Sequence, residues 1–182
     1  LVDRKSSGLT VTPHRRVDGG TWSDVTFDGV AVAAEALVAA GPAATESLEL
    51  ALDEARLAAG AELVGVMSAA FDMAISYMKV RRQFDRPIGS FQALQHRAVD
   101  LYMDVEVSRA VLRQAASLFD AHTDSRRRAS AASQLKARAS DAALKVVKGA
   151  VHLHGAMGYT EECNVGLFLK RAMVLAAWLG NA

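Results

Sequence analysis

The stretch Arg81-Arg82-Gln83-Phe84-Asp85-Arg86-Pro87-Ile88-Gly89-Ser90-Phe91-Gln92 decides the fold, because the pattern of the chain changes at both of its ends. Before it, Leu48, Leu52, Ala59, Leu63, Val66, Ala70, Met73 and Tyr77 recur every three or four residues, with Ala55 filling one longer step. That spacing predicts one face of a long helix over about 46–80. Pro87 and Gly89 break the pattern, and Leu94, Ala98, Leu101, Val105, Ser108, Leu112, Ala115 and Leu118 predict a second helix. The polar run Asp120 to Arg128 reads as a loop. Ala132, Leu135, Ala139, Ala142, Val146 and Ala150 then predict a third helix, interrupted by Gly155 and Gly158. A fourth is expected from about Asn164 to Trp178. Long amphipathic helices on short loops, rich in alanine on their buried faces, argue for an antiparallel four-helix bundle.

The N-terminal end reads differently. Leu9-Thr10-Val11-Thr12 and Val25-Thr26-Phe27 are β-rich, with turn signals at Gly19-Gly20 and Asp28-Gly29. They predict the trailing strands of a β-domain over 1–34, an Ala/Gly-rich linker with Pro42 over 35–45, and a helical bundle over 46–182. The expectation is therefore a mainly α piece of a longer protein that carries a few strands at its start. A formal net charge of +1 gives no support for nucleic-acid binding. The single cysteine, Cys163, leaves no internal disulfide and no cysteine cluster for zinc, which suits a reducing, cytoplasmic compartment. No apolar run is long enough to span a bilayer without charges, and no signal peptide is expected.

Two stretches could carry chemistry. In 81–92, Arg81 and Arg82 follow a helix C-terminus, where cations offset the macrodipole, and Phe84 could pack under the loop. Equally, a guanidinium there could clamp a phosphate while Phe84 flanks a planar ring. The second stretch is His152-Leu153-His154-Gly155-Ala156-Met157-Gly158-Tyr159-Thr160-Glu161-Glu162. Its glycines either end a helix or let backbone N–H groups approach a ligand. His152 and His154 are two residues apart, so on a helix they do not face each other, which argues against a metal site.

Together these stretches resemble the acyl-CoA dehydrogenase family. The first is similar to its R-x-x-F-G-x-P-I-x-x-F-Q signature, with Asp85 for glycine. The second is similar to Q-x-x-G-G-x-G-Y-x-x-E, with His152 for glutamine and Ala156 for the second glycine. Phe27-Asp28-Gly29-Val30-Ala31-Val32 resembles the F-D-G-V-x-V that ends the family's β-domain. The resemblance implies the C-terminal bundle of an enzyme that uses FAD to remove hydrogens from Cα and Cβ of an acyl-CoA thioester. It implies that subunits pair, so that one subunit's bundle reaches its neighbour's FAD. It places Arg81 at the FAD pyrophosphate, Gln83 and Phe84 along the cofactor, and Phe91 and Gln92 towards its adenosine part. His152, Leu153, His154, Gly155 and Ala156 would form a strip beside the adenine end, with Asn181 also at the cofactor. Asp53 and Arg56 match a D-x-x-R pattern near the acyl-CoA site.

The family removes the α-proton with a glutamate, in one of two places. The aromatic–Glu–Gly–Thr turn aligns with Trp178-Leu179-Gly180-Asn181, where the glutamate is Leu179. The other place, just before an arginine on the first bundle helix, holds Ala55 before Arg56. Glu54 is adjacent, but one helical step turns a side chain by roughly 100°. The expectation is a subunit with no base of its own, in a homo- or hetero-oligomer that shares an FAD with a partner subunit. Such pairs occur in actinobacterial steroid and fatty-acid catabolism, and the Ala/Arg-rich composition suits that source. An electron-transferring flavoprotein is the expected electron acceptor, with no nucleic-acid or membrane partner. The alternatives are an active homomeric enzyme with an unplaced base, Glu54 among the candidates, or a flavin-binding or structural bundle without turnover.

Overall fold

The computed structural model describes residues 1–121 and 124–180. It divides into two compact units, Leu1–Ala51 and Leu52–Ala182.

The first unit is built on a hairpin of β1 (Leu9–Arg15) and β2 (Thr21–Phe27), antiparallel with Leu9 opposite Phe27 and Arg15 opposite Thr21. The turn closes where Gly19 takes a φ of 84°, which glycine adopts without steric cost. Asp18 Oδ1 accepts from Gly20 N–H at 3.1 Å and pins that turn. Trp22 and Phe27 stay 65% and 59% exposed, so the hairpin has no core of its own. A short 3-10 turn follows at Ala34–Ala36.

Helix α1 runs Pro42–Val80 and so begins inside the stretch read as a linker. The physical reason is that proline at a helix start has no useful N–H to lose and a φ already suited to the helix, so Pro42 starts the helix instead of preventing it. From Leu52 onward α1 joins α2 (Gln92–Asp120), α3 (Ser125–His154) and α4 (Val165–Ala177) in the second unit. Of the run read as a loop, Asp120 still belongs to α2 and Ser125 to Arg128 already belong to α3, with Ala121 and Asp124 between them outside both helices. Asp124 caps α3 by accepting from Arg127 N–H at 3.1 Å, so the arginines after it belong to the first turn.

Contacts between the helices set their directions. Met78 approaches Gly89 and Phe71 lies 5.9 Å from Tyr102, so α1 and α2 run opposite ways. Asp104 of α2 meets Arg138 and Lys145 of α3 while Leu101 lies against Gly149, which is again antiparallel. Glu62 of α1 holds Arg171 of α4 through two bonds of 2.6 and 3.0 Å. The result is the four-helix bundle expected. Glycine sets the closest approaches: a Cβ at Gly60 would sit 2.6 Å from Leu135, and one at Gly149 would sit 2.7 Å from Leu101.

Leu63, Met67, Val105, Leu135, Val146 and Val147 are at the centre. The face read for α1 was too narrow. Met67, Ala74 and Met78 are buried as well, while Leu48 is exposed. Helices α2, α3 and α4 all touch α1, and a helix packed on several sides buries more than one stripe. By length and composition a stretch of α1 could cross a membrane, but Glu62 and Asp72 interrupt it. Its side chains Leu63, Val64, Val66, Met67, Ala70, Ala74 and Met78 belong to the bundle core.

The Asp104 carboxylate is nearly buried, with Arg138 Nη2 2.7 Å from Oδ1 and Lys145 Nζ 2.7 Å from Oδ2. Burial alone would push its pKa up, but the Lys145 ammonium and then the Arg138 guanidinium outweigh that and hold it below the usual value. A carboxyl lowered on folding contributes stability above its unfolded pKa of about 4 and loses it as pH falls through the folded value. Asp104→Asn is therefore expected to lower the Tm at pH 7 by several degrees and to flatten its decline below pH 4. Thermal unfolding followed across pH checks both.

Candidate functional site

Helix α1 ends at Val80, and the chain turns back through a small hairpin, β3 (Arg82–Gln83) and β4 (Arg86–Pro87). Its two loop residues, Phe84 and Asp85, have φ of 52° and 64°. Positive φ at both central residues is a type I′ turn, for which glycine, asparagine and aspartate are the tolerant residues. Asp85 thus fills a conformation that suits the glycine of the signature. Arg81 is locked at the base of this turn: its N–H donates to Tyr77 O at 2.8 Å and its carbonyl accepts from Ile88 N–H at 2.8 Å.

Helix α3 ends at the same end of the bundle. Gly155 takes φ 61° and ψ −139°, a conformation only glycine adopts readily, and a Cβ there would meet nothing within 4 Å. The backbone after His154 therefore faces open space. His154 itself is buried, stacked on Tyr77 at 4.6 Å between ring centroids. Its Nδ1 lies 2.8 Å from Ala150 O, and because a carbonyl only accepts, Nδ1 carries the proton.

These two ends form one cleft of about 280 Å³. Arg81, Gln83, His152, Leu153, His154, Gly155 and Ala156 all line it, together with Tyr77 and Met157. No carboxylate is among its lining residues, and the Arg81 guanidinium makes no ion pair among the described residues. An exposed cation beside open backbone, with no competing anion, fits a phosphate-bearing group.

The other residues read from the sequence lie outside this cleft. Phe84 does not pack under its loop but is 85% exposed, because positive φ turns it outward at the tip of the hairpin. It meets Phe91 edge-on at 6.0 Å, and the Arg86 guanidinium sits 4.0 Å over the Phe91 ring. Gln92 is the exposed first residue of α2. On α1, Asp53 is buried and accepts from Arg56 Nη1 at 2.7 Å, while Ala55 is half-buried and Glu54 exposed. Leu179 is half-buried with φ 59°, followed by Gly180 at φ 106°. Asn181 lies outside the described residues.

Two residues were missed. Tyr77 was read only as part of a helix face, and it is the wall against which His154 stacks. Lys136 was not singled out, yet it is 4% exposed and reaches the 178–180 turn. The signal was present, since Ala132, Lys136, Ser140, Ala143 and Val147 fall on one helical stripe and a lysine there must be buried.

Comparison with known proteins agrees with this arrangement. The family model for the acyl-CoA dehydrogenase C-terminal domain matches residues 31–182. The chain is 31% identical to the probable acyl-CoA dehydrogenase FadE25 of Mycobacterium tuberculosis, covering 100% of this chain and 47% of that protein. Among solved structures, the Tcur3481–Tcur3483 steroid ACAD superposes with a TM-score of 0.85 at 32% identity, covering 100% of this chain and 47% of that one. The ChsE4–ChsE5 complex from Mycobacterium tuberculosis gives a TM-score of 0.84 at 30% identity, covering 100% and 48%. The chain spans about half the length of the relatives it matches. It belongs to the acyl-CoA dehydrogenase family, FAD-dependent oxidoreductases acting on CH–CH groups, and carries that family's C-terminal helical domain.

Proposed function

We propose that this chain is part of an acyl-CoA dehydrogenase subunit that has no catalytic base and shares its FAD site with a partner subunit, in fatty-acid or steroid side-chain catabolism. The observation that carries the reading is a cleft that keeps its cation and open glycine backbone while both glutamate positions are apolar. Two similar solved structures bear names that fit it, one a steroid ACAD named for two components and one a two-component complex.

In this reading Arg81 binds the pyrophosphate as a charge-assisted donor, and Gln83 orients the cofactor beside it. The backbone from His152 to Ala156 receives the adenine end, with His154 held against Tyr77 so that the strip stays rigid. FAD, when bound, supplies the acceptor for the β-hydride. Asp53 and Arg56 lie towards the acyl-CoA. The α-proton needs a carboxylate within hydrogen-bond reach. Leu179 and Ala55 hold no proton at any pH, so the partner supplies that group. Glu54 is exposed, whereas its neighbour Asp53 is buried. The backbone N–H of Leu179 still offers a donor to the thioester carbonyl. An electron-transferring flavoprotein would be the electron acceptor, in the bacterial cytoplasm.

The test is co-expression with and without a glutamate-bearing acyl-CoA dehydrogenase subunit from the same genome. Flavin absorbance and acyl-CoA-dependent dye reduction are expected only with the partner. Turnover by this polypeptide alone refutes the shared site.

A further inference from the structure

Among the described residues, Lys136 is the only lysine or arginine that is buried. No carboxylate of the described residues neutralises it. Its ammonium donates instead to Ser140 Oγ at 3.0 Å, Ala176 O at 2.9 Å and Gly180 O at 3.0 Å. Three N–H groups thus meet three neutral oxygens. Two of those oxygens are carbonyls that only accept, so they fix two N–H groups of Lys136, and the Ser140 hydroxyl takes the third direction. Burial pushes its pKa down. An unpaired buried charge is costly, and helical stability alone would be served as well by an apolar side chain.

What the charge does is local. Ala176 lies in the last turn of α4, whose carbonyls have no partner within the helix and form the negative end of its dipole. Gly180 lies beyond the turn, so the two carbonyls bracket Trp178 and Leu179. Leu179 has φ 59°, which a branched L-residue adopts only when its surroundings enforce it. Trp178 N–H, bonded to Val174 O at 3.1 Å, fixes the near side of the turn, and Lys136 supplies the far side.

We propose that Lys136 is a positioning residue: by clasping the carbonyls of Ala176 and Gly180 it holds residue 179 in the left-handed conformation. That this aims residue 179 at an acyl thioester rests on the function proposed above; the clasp itself does not. It also gives α3 a direct hold on the turn, across the bundle from the Arg81 cleft.

The experiment uses this 182-residue chain with Trp22→Phe, so that Trp178 is the only tryptophan within it. Lys136→Met is expected to shift Trp178 emission to the red and to raise its acrylamide quenching by about twofold, as the turn opens locally. Far-UV circular dichroism should be unchanged, and Lys136→Arg, which keeps the charge, should recover most of the parent signal. Ser140→Ala removes one partner of Lys136 without touching the turn and should leave Trp178 as it was. If Lys136→Met does not fold, Lys136→Gln is read in its place. Unchanged Trp178 emission and quenching in a folded variant, or an equal change in Ser140→Ala, overturns the proposal. The readout uses neither flavin nor acyl-CoA, so its failure counts against Lys136 alone, while failure to bind flavin counts against the proposed function.

Discussion

Leu179→Glu is expected to raise acyl-CoA-dependent dye reduction by roughly 10²–10⁴-fold in the flavin-retaining oligomer once the partner subunit's own catalytic glutamate has been replaced by glutamine, so that the reference oligomer holds no base. That is the usual contribution of a positioned general base. The backbone is already in place: residue 179 sits at φ 59°, and the left-handed cost for glutamate is the same as for leucine, about 1–2 kcal/mol. Trp178 precedes it and Gly180 follows it, as in the family's turn. The change therefore restores a carboxylate without rebuilding the loop. No gain, in a variant that still binds flavin and acyl-CoA, would show that the pocket around residue 179 is not built to deliver an α-proton to it.

Arg81→Ala is expected to weaken flavin binding by roughly 10–100-fold, because one or two charge-assisted hydrogen bonds contribute about 1.5–3 kcal/mol. Arg81 is suited to this by what surrounds it. Its backbone is tied at both sides, to Tyr77 and Ile88, so the guanidinium starts from a fixed root. No carboxylate lines the cleft to compete for it. Arg81→Lys should lose less, since it keeps the charge and gives up the planar fork. Raising the salt concentration should weaken the parent more than the alanine variant, because an exposed charge is screened. Flavin titrations at low and high salt, read by fluorescence quenching, check all three. Equal affinity in parent and Arg81→Ala would remove the pyrophosphate role.

The sites behave differently because they depend on different amounts of tertiary structure. The two motifs around Arg81 and Gly155 stand far apart in the chain, and each alone has a local explanation in helix termination. Their meeting in one cleft follows from α1 and α3 running in the same direction, which puts the end of each at the same end of the bundle. Periodicity reveals helices but not which ends coincide.

Amino-acid order by itself determined the four helices, the hairpin at Gly19-Gly20 and the apolar residues at both glutamate positions, because hydrophobic spacing, turn chemistry and side-chain identity are local properties. It misjudged Pro42 and the residues from Ser125 to Arg128, where proline and the preceding Asp124 act as helix starters once the following turns are formed. Only the tertiary structure decided how wide a face α1 buries, that Phe84 points to solvent, and that Lys136 grips the turn carrying Leu179. Each depends on what a distant segment places opposite the residue, and burial, charge cost and backbone strain are set by those neighbours.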